Sequence, residues 1–368
     1  MNNKLLIIGA FPPKNKKIYG GVLKSCQILM DSVLPEEFNI ITLDSTQKSN
    51  PAPHFSVRAF YSFVRMLSLL KILLLDRPKA TLIFTSDSFS ALEKGVHILI
   101  CKIFNSKTLI FPRAGNLINQ VSKSNLFLKC IKYLFNKSDV FLCQGPKWES
   151  FASNKLHINA LKIKTVGNWT ATDSLLNIGS NKHYEKNRVN FIFVGWLEEH
   201  KGVFELLNVA ALLTKKNIKF NLTFVGGGSA EFLAKKFVDK HKMNNNIFFV
   251  GWKTTYELNT ILESNDVFVL PSWNEGMPNS MIEAMAAGLA VIVTSVGVIT
   301  DFLENNEHAI IIPPKDTKAL ENAMIKIINN YDLRIKLSKN GQLLAKNKFS
   351  TNKEIIKLRD IINNLMLI

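Results

Sequence analysis

Carboxylates are scarce in the first half of this chain. Residues 1–170 hold 9 Asp and Glu against 23 Lys and Arg, a net of +14, whereas residues 171–368 hold 20 against 23. Nearly all of the formal charge of +17 therefore lies in one half. Such a field favours anionic partners: nucleic acid, phosphate-bearing substrates or acidic lipid headgroups. Cysteine is sparse too. Cys26, Cys101, Cys130 and Cys143 lie far apart with no C-x-x-C pair, which excludes a disulfide framework or a zinc site and suits buried thiols of a reducing, cytoplasmic compartment. No stretch reaches 18 uncharged apolar residues, so no segment reads as membrane-spanning. The apolar run at the N-terminus ends within a few residues at Pro12 and Pro13 and reads as a first strand, not a signal peptide.

What is present is an ordered globular chain, 47% hydrophobic and 20% charged, whose 368 residues allow two domains with separate cores. Apolar, β-branched runs alternate with helical patterns, which predicts α/β architecture with parallel sheets. The strands are predicted at Leu5–Gly9, Ile40–Leu43, Thr81–Thr85, Thr108–Pro112 and Val140–Cys143, then at Asn190–Val194, Asn221–Val225, Ile247–Val250, Val267–Leu270, Val291–Thr294 and Ile310–Ile312. Residues 172–187 are polar and turn-rich, as in a linker. The domains are accordingly placed at 1–171 and 188–349. The last segment, 350–368, reads as a helix with its apolar face on Ile355, Leu358, Ile362 and Leu365.

Chemistry concentrates between Glu275 and Glu283. The first lies on the loop leaving a buried strand and the second on the helix that follows, with Gly276 and Pro278 shaping a tight turn between them. Free backbone N–H groups at such a helix start accommodate an anion, and a carboxylate on each side accepts bonds from hydroxyls. That suits a ligand built of sugar, phosphate and sugar. The run E-G-M-P-N-S-M-I-E, with A-M-A-A-G-L after it, resembles the retaining glycosyltransferases of family 4, which have the two-domain GT-B fold: two Rossmann-like domains facing each other across a cleft. The resemblance implies that Glu275 faces the transferred sugar and that the loop Gly276, Met277, Pro278, Asn279 and Ser280 holds sugar and phosphate. It implies that Glu283 binds the ribose. It also implies that the N-terminal domain binds the acceptor and that the last helix packs back on that domain.

Other loops extend the resemblance. F-V-G-W-L-E-E-H-K-G resembles the family's G-R-L-x-x-x-K-G segment, in which an arginine and a lysine neutralise the donor diphosphate. Gly195, Leu197, Lys201 and Gly202 match, while Trp196 stands in the arginine's place and either stacks on a ligand ring or packs in the domain. Y-G-G-V places Gly20 and Gly21 before a helix, after the basic run Lys14 to Lys17, where backbone approaches a phosphate closely. F-P-R-A-G-N offers Arg113 and Asn116 where the family carries a histidine near the reacting carbon; Arg113 supplies a donor to the substrate or binds an acceptor phosphate. Asp87 is the acidic neighbour in a comparable loop, or caps a helix. V-G-G-G-S (225–229) lacks the last glycine of a dinucleotide fingerprint; the family places this loop and V-G-W-K (250–253) beside the nucleotide base. In T-S-V-G-V-I-T-D-F, Val298 and Asp301 replace a glycine and a glutamate of the family pattern.

The resemblance implies a metal-independent transfer, with retention, from a UDP- or GDP-sugar to a glycan or lipid-linked acceptor in cell-surface polysaccharide synthesis, such as capsule or lipopolysaccharide. No D-x-D metal-binding pair is present, and no further cofactor is implied. A basic helical region over Leu117–Lys137, interleaving Leu126, Phe127, Cys130, Ile131 and Leu134 with lysines, suits either a core-facing helix with a solvated face or peripheral contact with an anionic membrane at the inner face. Two further readings stay open: a sugar-nucleotide epimerase of the same fold, and a non-catalytic partner subunit. Nucleic-acid binding explains the charge but not the glutamate loop, and is set aside.

Overall fold

A computed structural model describes residues 3–12, 19–47, 53–86, 88–186 and 188–367. The chain divides into two compact units, Met1–Trp169 with Thr351–Ile368, and Thr170–Ser350. Unit 1 contains strands β1 (Lys4–Gly9), β2 (Asn39–Asp44), β3 (Ala80–Thr85), β4 (Lys107–Pro112), β5 (Val140–Cys143) and β6 (Ile163–Thr165). They form one sheet in the order β2-β1-β3-β4-β5-β6, parallel throughout. Unit 2 contains β7 (Val189–Val194), β8 (Phe220–Val225), β9 (Ile247–Gly251), β10 (Val267–Leu270), β11 (Ala290–Thr294) and β12 (Ile310–Ile312), in the order β12-β11-β10-β7-β8-β9, again all parallel. Central strands such as β3 and β10 are buried along their whole length, because helices cover both faces of a parallel sheet. That is why they read as unbroken apolar runs. The edge strand β6, I-K-T, is largely exposed and gave no such signal.

Half of the segment read as a linker is helix. Thr172 caps Asp173–Ser180, its side chain accepting from the Leu175 N–H. A Cβ on Gly179 would stand 2.4 Å from the Ala286 carbonyl oxygen, so only glycine lets this helix close onto Asn279–Ala286. Lys182 Nζ then donates to the Leu262 carbonyl at 3.1 Å, fastening the following residues to unit 2. The basic stretch Leu117–Lys137 is helical, as two helices. Asn116–Lys123 ends at Ser124, which is extended and caps Asn125–Asn136. The C-terminal helix Thr351–Leu367 belongs to the core of unit 1, where Ile355, Leu358, Ile362 and Leu365 pack with Leu5, Ile7, Phe84 and Trp169. All four cysteines are free thiols, three of them buried.

A buried ionic cluster underlies one helical layer of unit 1. Glu93 takes Arg65 Nε at 2.7 Å and Lys94 Nζ at 2.8 Å. Burial alone would raise the Glu93 carboxyl, but Lys94 and Arg65 outweigh it and hold it down at about 2. His97, 1% exposed with neither ring nitrogen partnered, is driven from 6.5 to about 3 by burial and by Lys94. Both groups bind protons more readily unfolded than folded, so both lose stabilising effect in acid. His97 acts as pH falls below about 6.5 and Glu93 as it falls below about 4.5. Thermal melts should therefore drop from about pH 6.5 downward. His97→Leu should flatten the part of that loss above about pH 4.5 and leave the steeper part; an unchanged profile would contradict this assignment.

Candidate active site

In an open parallel sheet, ligands bind beyond the carboxyl ends of the strands where the order reverses. In unit 2 that point falls between β7 and β10, neighbours in the sheet from which the chain proceeds in opposite directions. The loops leaving those two strands carry Lys201 and Glu275. Lys201 Nζ lies 2.6 Å from Glu275 Oε1, and Ser272 Oγ donates to the same oxygen at 2.8 Å. Both charges are partly buried, at 20% and 10% side-chain exposure, so their attraction is less screened than on an open surface.

Local backbone geometry explains why these side chains meet. Gly202 has a φ of +74°, and a Cβ there would stand 2.2 Å from the Pro271 carbonyl oxygen. Only glycine lets the Lys201 loop lie on the end of β10. On the other side, Gly297 (φ +63°) follows β11, and its Cβ would stand 2.2 Å from the Glu275 carbonyl oxygen and 2.5 Å from that of Gly276. The Glu275 loop is therefore held between two glycines. Thr294 Oγ1 donates to the Ser272 carbonyl at 2.6 Å, and Trp273 Nε1 donates to Glu205 Oε1 at 2.7 Å.

Beyond Glu275 the chain passes Gly276 and the buried Met277, then enters the helix Asn279–Ala286 through Pro278, which offers no side-chain cap. The first N–H groups of any helix lack acceptors within it, and here Asn279 and Ser280 lie in that turn, at the positive end of the helix. Glu283 stands one turn further, 5% exposed. A carboxylate this buried requires hydrogen-bonding partners.

Trp196 packs on Trp252. Its ring meets Trp252 edge-on at 4.9 Å between centroids, 72° between planes, a favoured aromatic geometry. The loops after β7 and β8 run so close that a Cβ on Gly226 would stand 1.9 Å from the Gly195 carbonyl oxygen, and one on Gly228 2.5 Å from that of Leu197. The glycines of V-G-G-G-S thus serve a loop-on-loop contact, with Leu197 N–H donating to the Gly227 carbonyl at 2.9 Å. Trp196 remains half-exposed beside this contact.

The remaining candidates belong to unit 1. Gly20 precedes the helix Gly21–Met30 without a side-chain cap. Arg113 is brought to that helix, its Nη2 donating to Ser25 Oγ at 2.9 Å. Its guanidinium lies 4.9 Å from the Phe111 ring centre and 5.0 Å from that of Trp169, and Nη1 is buried without a partner. Burial brings Arg113 down to about 10, so it stays a cation at neutral pH. The same burial pushes the Cys26 thiol up to about 11. Asn116 opens the helix Asn116–Lys123. Lys14 to Lys17 and Asp87 lie outside the described residues. Sequence reasoning passed over Ser272, Trp273, Glu205 and the steric role of Gly297. Of these, only Ser272, three residues before Glu275, had a local signal.

Two parallel six-stranded sheets with helices, and a polar pair at the switch point of the second, define an α/β protein of the GT-B fold. Across 99% of both chains it superposes on sucrose-phosphate synthase of Thermosynechococcus elongatus with a TM-score of 0.79 at 17% identity. Residues 177–344, within the second unit, match the family model of glycosyl transferases group 1. HepE of Anabaena, solved in complex with UDP-glucose, is similar over 98% of this chain and 99% of its own, with a TM-score of 0.71 at 13% identity. The Escherichia coli UDP-Gal:α-D-GlcNAc-diphosphoundecaprenol α-1,3-galactosyltransferase is 22% identical over 357 residues, 89% of each chain.

Proposed function

We propose that the protein transfers a sugar, with retention at the anomeric carbon, from a UDP- or GDP-sugar to a hydroxyl of a glycan or lipid-linked acceptor. The observation that carries this reading is the Lys201–Glu275 pair, at 2.6 Å, set between the ends of β7 and β10 and followed by the N-terminus of Asn279–Ala286. A cation, a carboxylate and a helix N-terminus together match a ligand with a diphosphate next to a sugar. The E. coli relative, whose name gives a UDP-sugar donor and a lipid-diphosphate-linked acceptor, and HepE with its UDP-glucose support the same classes.

In this reading Glu275 accepts hydrogen bonds from the donor hexose and Glu283 from the ribose. The bond from the anomeric carbon to the β-phosphate oxygen breaks while the acceptor oxygen bonds to that carbon on the same face. The acceptor proton passes to the departing diphosphate, so no protein nucleophile is required. Lys201 turns from Glu275 toward the diphosphate, and with the amides of 276–280 it stabilises the charge that develops there. Arg113, through its unpartnered Nη1, donates to the acceptor. Product analysis with and without acceptor tests the whole: a new glycoside formed only with acceptor supports transfer. An altered sugar nucleotide formed without acceptor would favour epimerisation, and nucleotide binding with no turnover under any acceptor would favour a non-catalytic subunit. Proton NMR of the first-formed product reads the anomeric configuration, and inversion would overturn the retaining mechanism.

The place of Trp196 gives a separate test. If this position reaches the diphosphate, Trp196→Arg adds a charge-assisted hydrogen bond worth about 1.5–3 kcal/mol. Calorimetry should then show nucleoside diphosphate bound roughly tenfold or more tightly. Unchanged or weaker binding would mean that position 196 only packs on Trp252.

A further inference from the structure

Unit 1 exposes an apolar surface that its own fold leaves uncovered. The helix Phe55–Leu75 runs for 21 residues, and only Leu69 and Leu73 are buried. On its outer side Phe60, Phe63, Leu67 and Leu74 are 62%, 53%, 50% and 57% exposed. Their spacing of three, four and seven residues puts them on one stripe of the helix, with Lys71 among them. The helix is thus apolar on both sides, and an isolated helix of this kind could roll to bury either. Arg65 fixes which side faces out: it lies on the opposite side from Phe60 and Leu67, 2.7 Å from the buried Glu93. A contiguous apolar stripe this long is not needed for a soluble fold and marks an interaction surface.

The neighbouring helices extend the same layer. Ser88–Ile103 lies beside Phe55–Leu75, with Phe55 and Phe89 edge-to-face at 5.6 Å. It meets Asn125–Asn136 at Gly95, where a Cβ would stand 2.7 Å from Leu134 Cδ1. Ile103, Leu126 and Tyr133 are exposed at 77%, 74% and 59%. Of the seven Lys and Arg on these three helices, Arg65 and Lys94 are taken up by the buried Glu93, their one carboxylate, and Lys102 pairs with Asp139, which leaves Arg58, Lys71, Lys129 and Lys132. An apolar stripe flanked by cations complements an acidic lipid surface, whose headgroups attract each lysine while the interface takes up the aromatic and leucine side chains. A second copy of the chain would bring the same excess of positive charge to the contact, which disfavours self-association. Among the described residues no helix is long and apolar enough to cross a membrane.

We infer that the outer face of Phe55–Leu75, with the adjoining helices, docks the protein on an anionic lipid bilayer, the stripe lying in the interface and not spanning it. This surface acts whatever unit 2 transfers, so it stands or falls apart from the catalytic reading.

The test is sedimentation of the full-length protein with vesicles of phosphatidylcholine alone or mixed with phosphatidylglycerol, at low and high salt. Wild type should be retained by the acidic vesicles at low salt and released at high salt. Phe60→Ser with Leu67→Ser should reduce retention roughly tenfold or more, with an unchanged melting temperature, since both side chains are exposed. Leu67→Trp should keep binding, and its emission should shift to the blue on acidic vesicles. Failure of wild type to sediment with acidic vesicles, equal retention of the double variant, or an unshifted tryptophan would overturn the inference. So would a wild-type dimer by light scattering that the double variant converts to a monomer, since the stripe would then face a second copy.

Discussion

Glu275→Ala is expected to lower kcat by roughly 100- to 1000-fold, the scale of losing one preorganised polar contact to the transition state. Nucleoside-diphosphate affinity should stay level or rise. The reason lies in the ion pair: with Glu275 gone, Lys201 loses the partner that holds it at 2.6 Å, and the freed ammonium meets the diphosphate without competition. Glu283→Ala should behave in the opposite way. Its carboxylate, 5% exposed one turn into the helix, is assigned to the ribose, so its loss should weaken nucleotide binding roughly tenfold and change kcat less. Steady-state kinetics and calorimetry on both variants decide the matter. Equal effects on affinity and turnover in the two variants would sink this division of roles.

Gly297→Ala should damage the fold and the site together. An alanine at a φ of +63° is strained by about 1–2 kcal/mol. The added Cβ also meets the carbonyl oxygens of Glu275 and Gly276 at 2.2 and 2.5 Å. These are backbone atoms, which cannot swing aside as a side chain would. A total of about 2–4 kcal/mol is expected, lowering the melting temperature by roughly 5–15 °C. Well below the melt, kcat should still fall roughly tenfold, because Glu275 is displaced from Lys201 and Ser272. Gly251→Ala is the control. Its φ is +71° with nothing within 4 Å of the added atom, so it carries the strain without the collision. Equal losses in the two variants would mean that the contact under Glu275 is soft.

Much of this architecture was readable before any coordinates. Eleven of the twelve strands correspond to apolar runs, because a parallel sheet covered on both faces demands them. The exception, β6, is a short edge strand with Lys164 in it. The helix Asp173–Ser180 was obscured by its polar composition; its cap is local, but the close approach at Gly179 depends on Ala286, more than a hundred positions away. The two loops of the site were legible because spacing along one segment defines each. What joins them was not. Lys201 and Glu275 are 74 positions apart, and the glycines that press their loops together act on backbone atoms that no local pattern reveals. Arg113 was readable as a cation after a strand, but its place between Phe111 and Trp169 depends on the return of the chain past β6.

The central claim is that unit 2 holds a nucleoside-diphosphate sugar for transfer. Its most direct test is release of nucleoside diphosphate from a panel of UDP-, GDP- and ADP-sugars by the full-length wild-type protein, without acceptor. Slow hydrolysis of one UDP- or GDP-sugar, above a control lacking protein, is the expected result. Absence of both release and binding across the whole panel would contradict it.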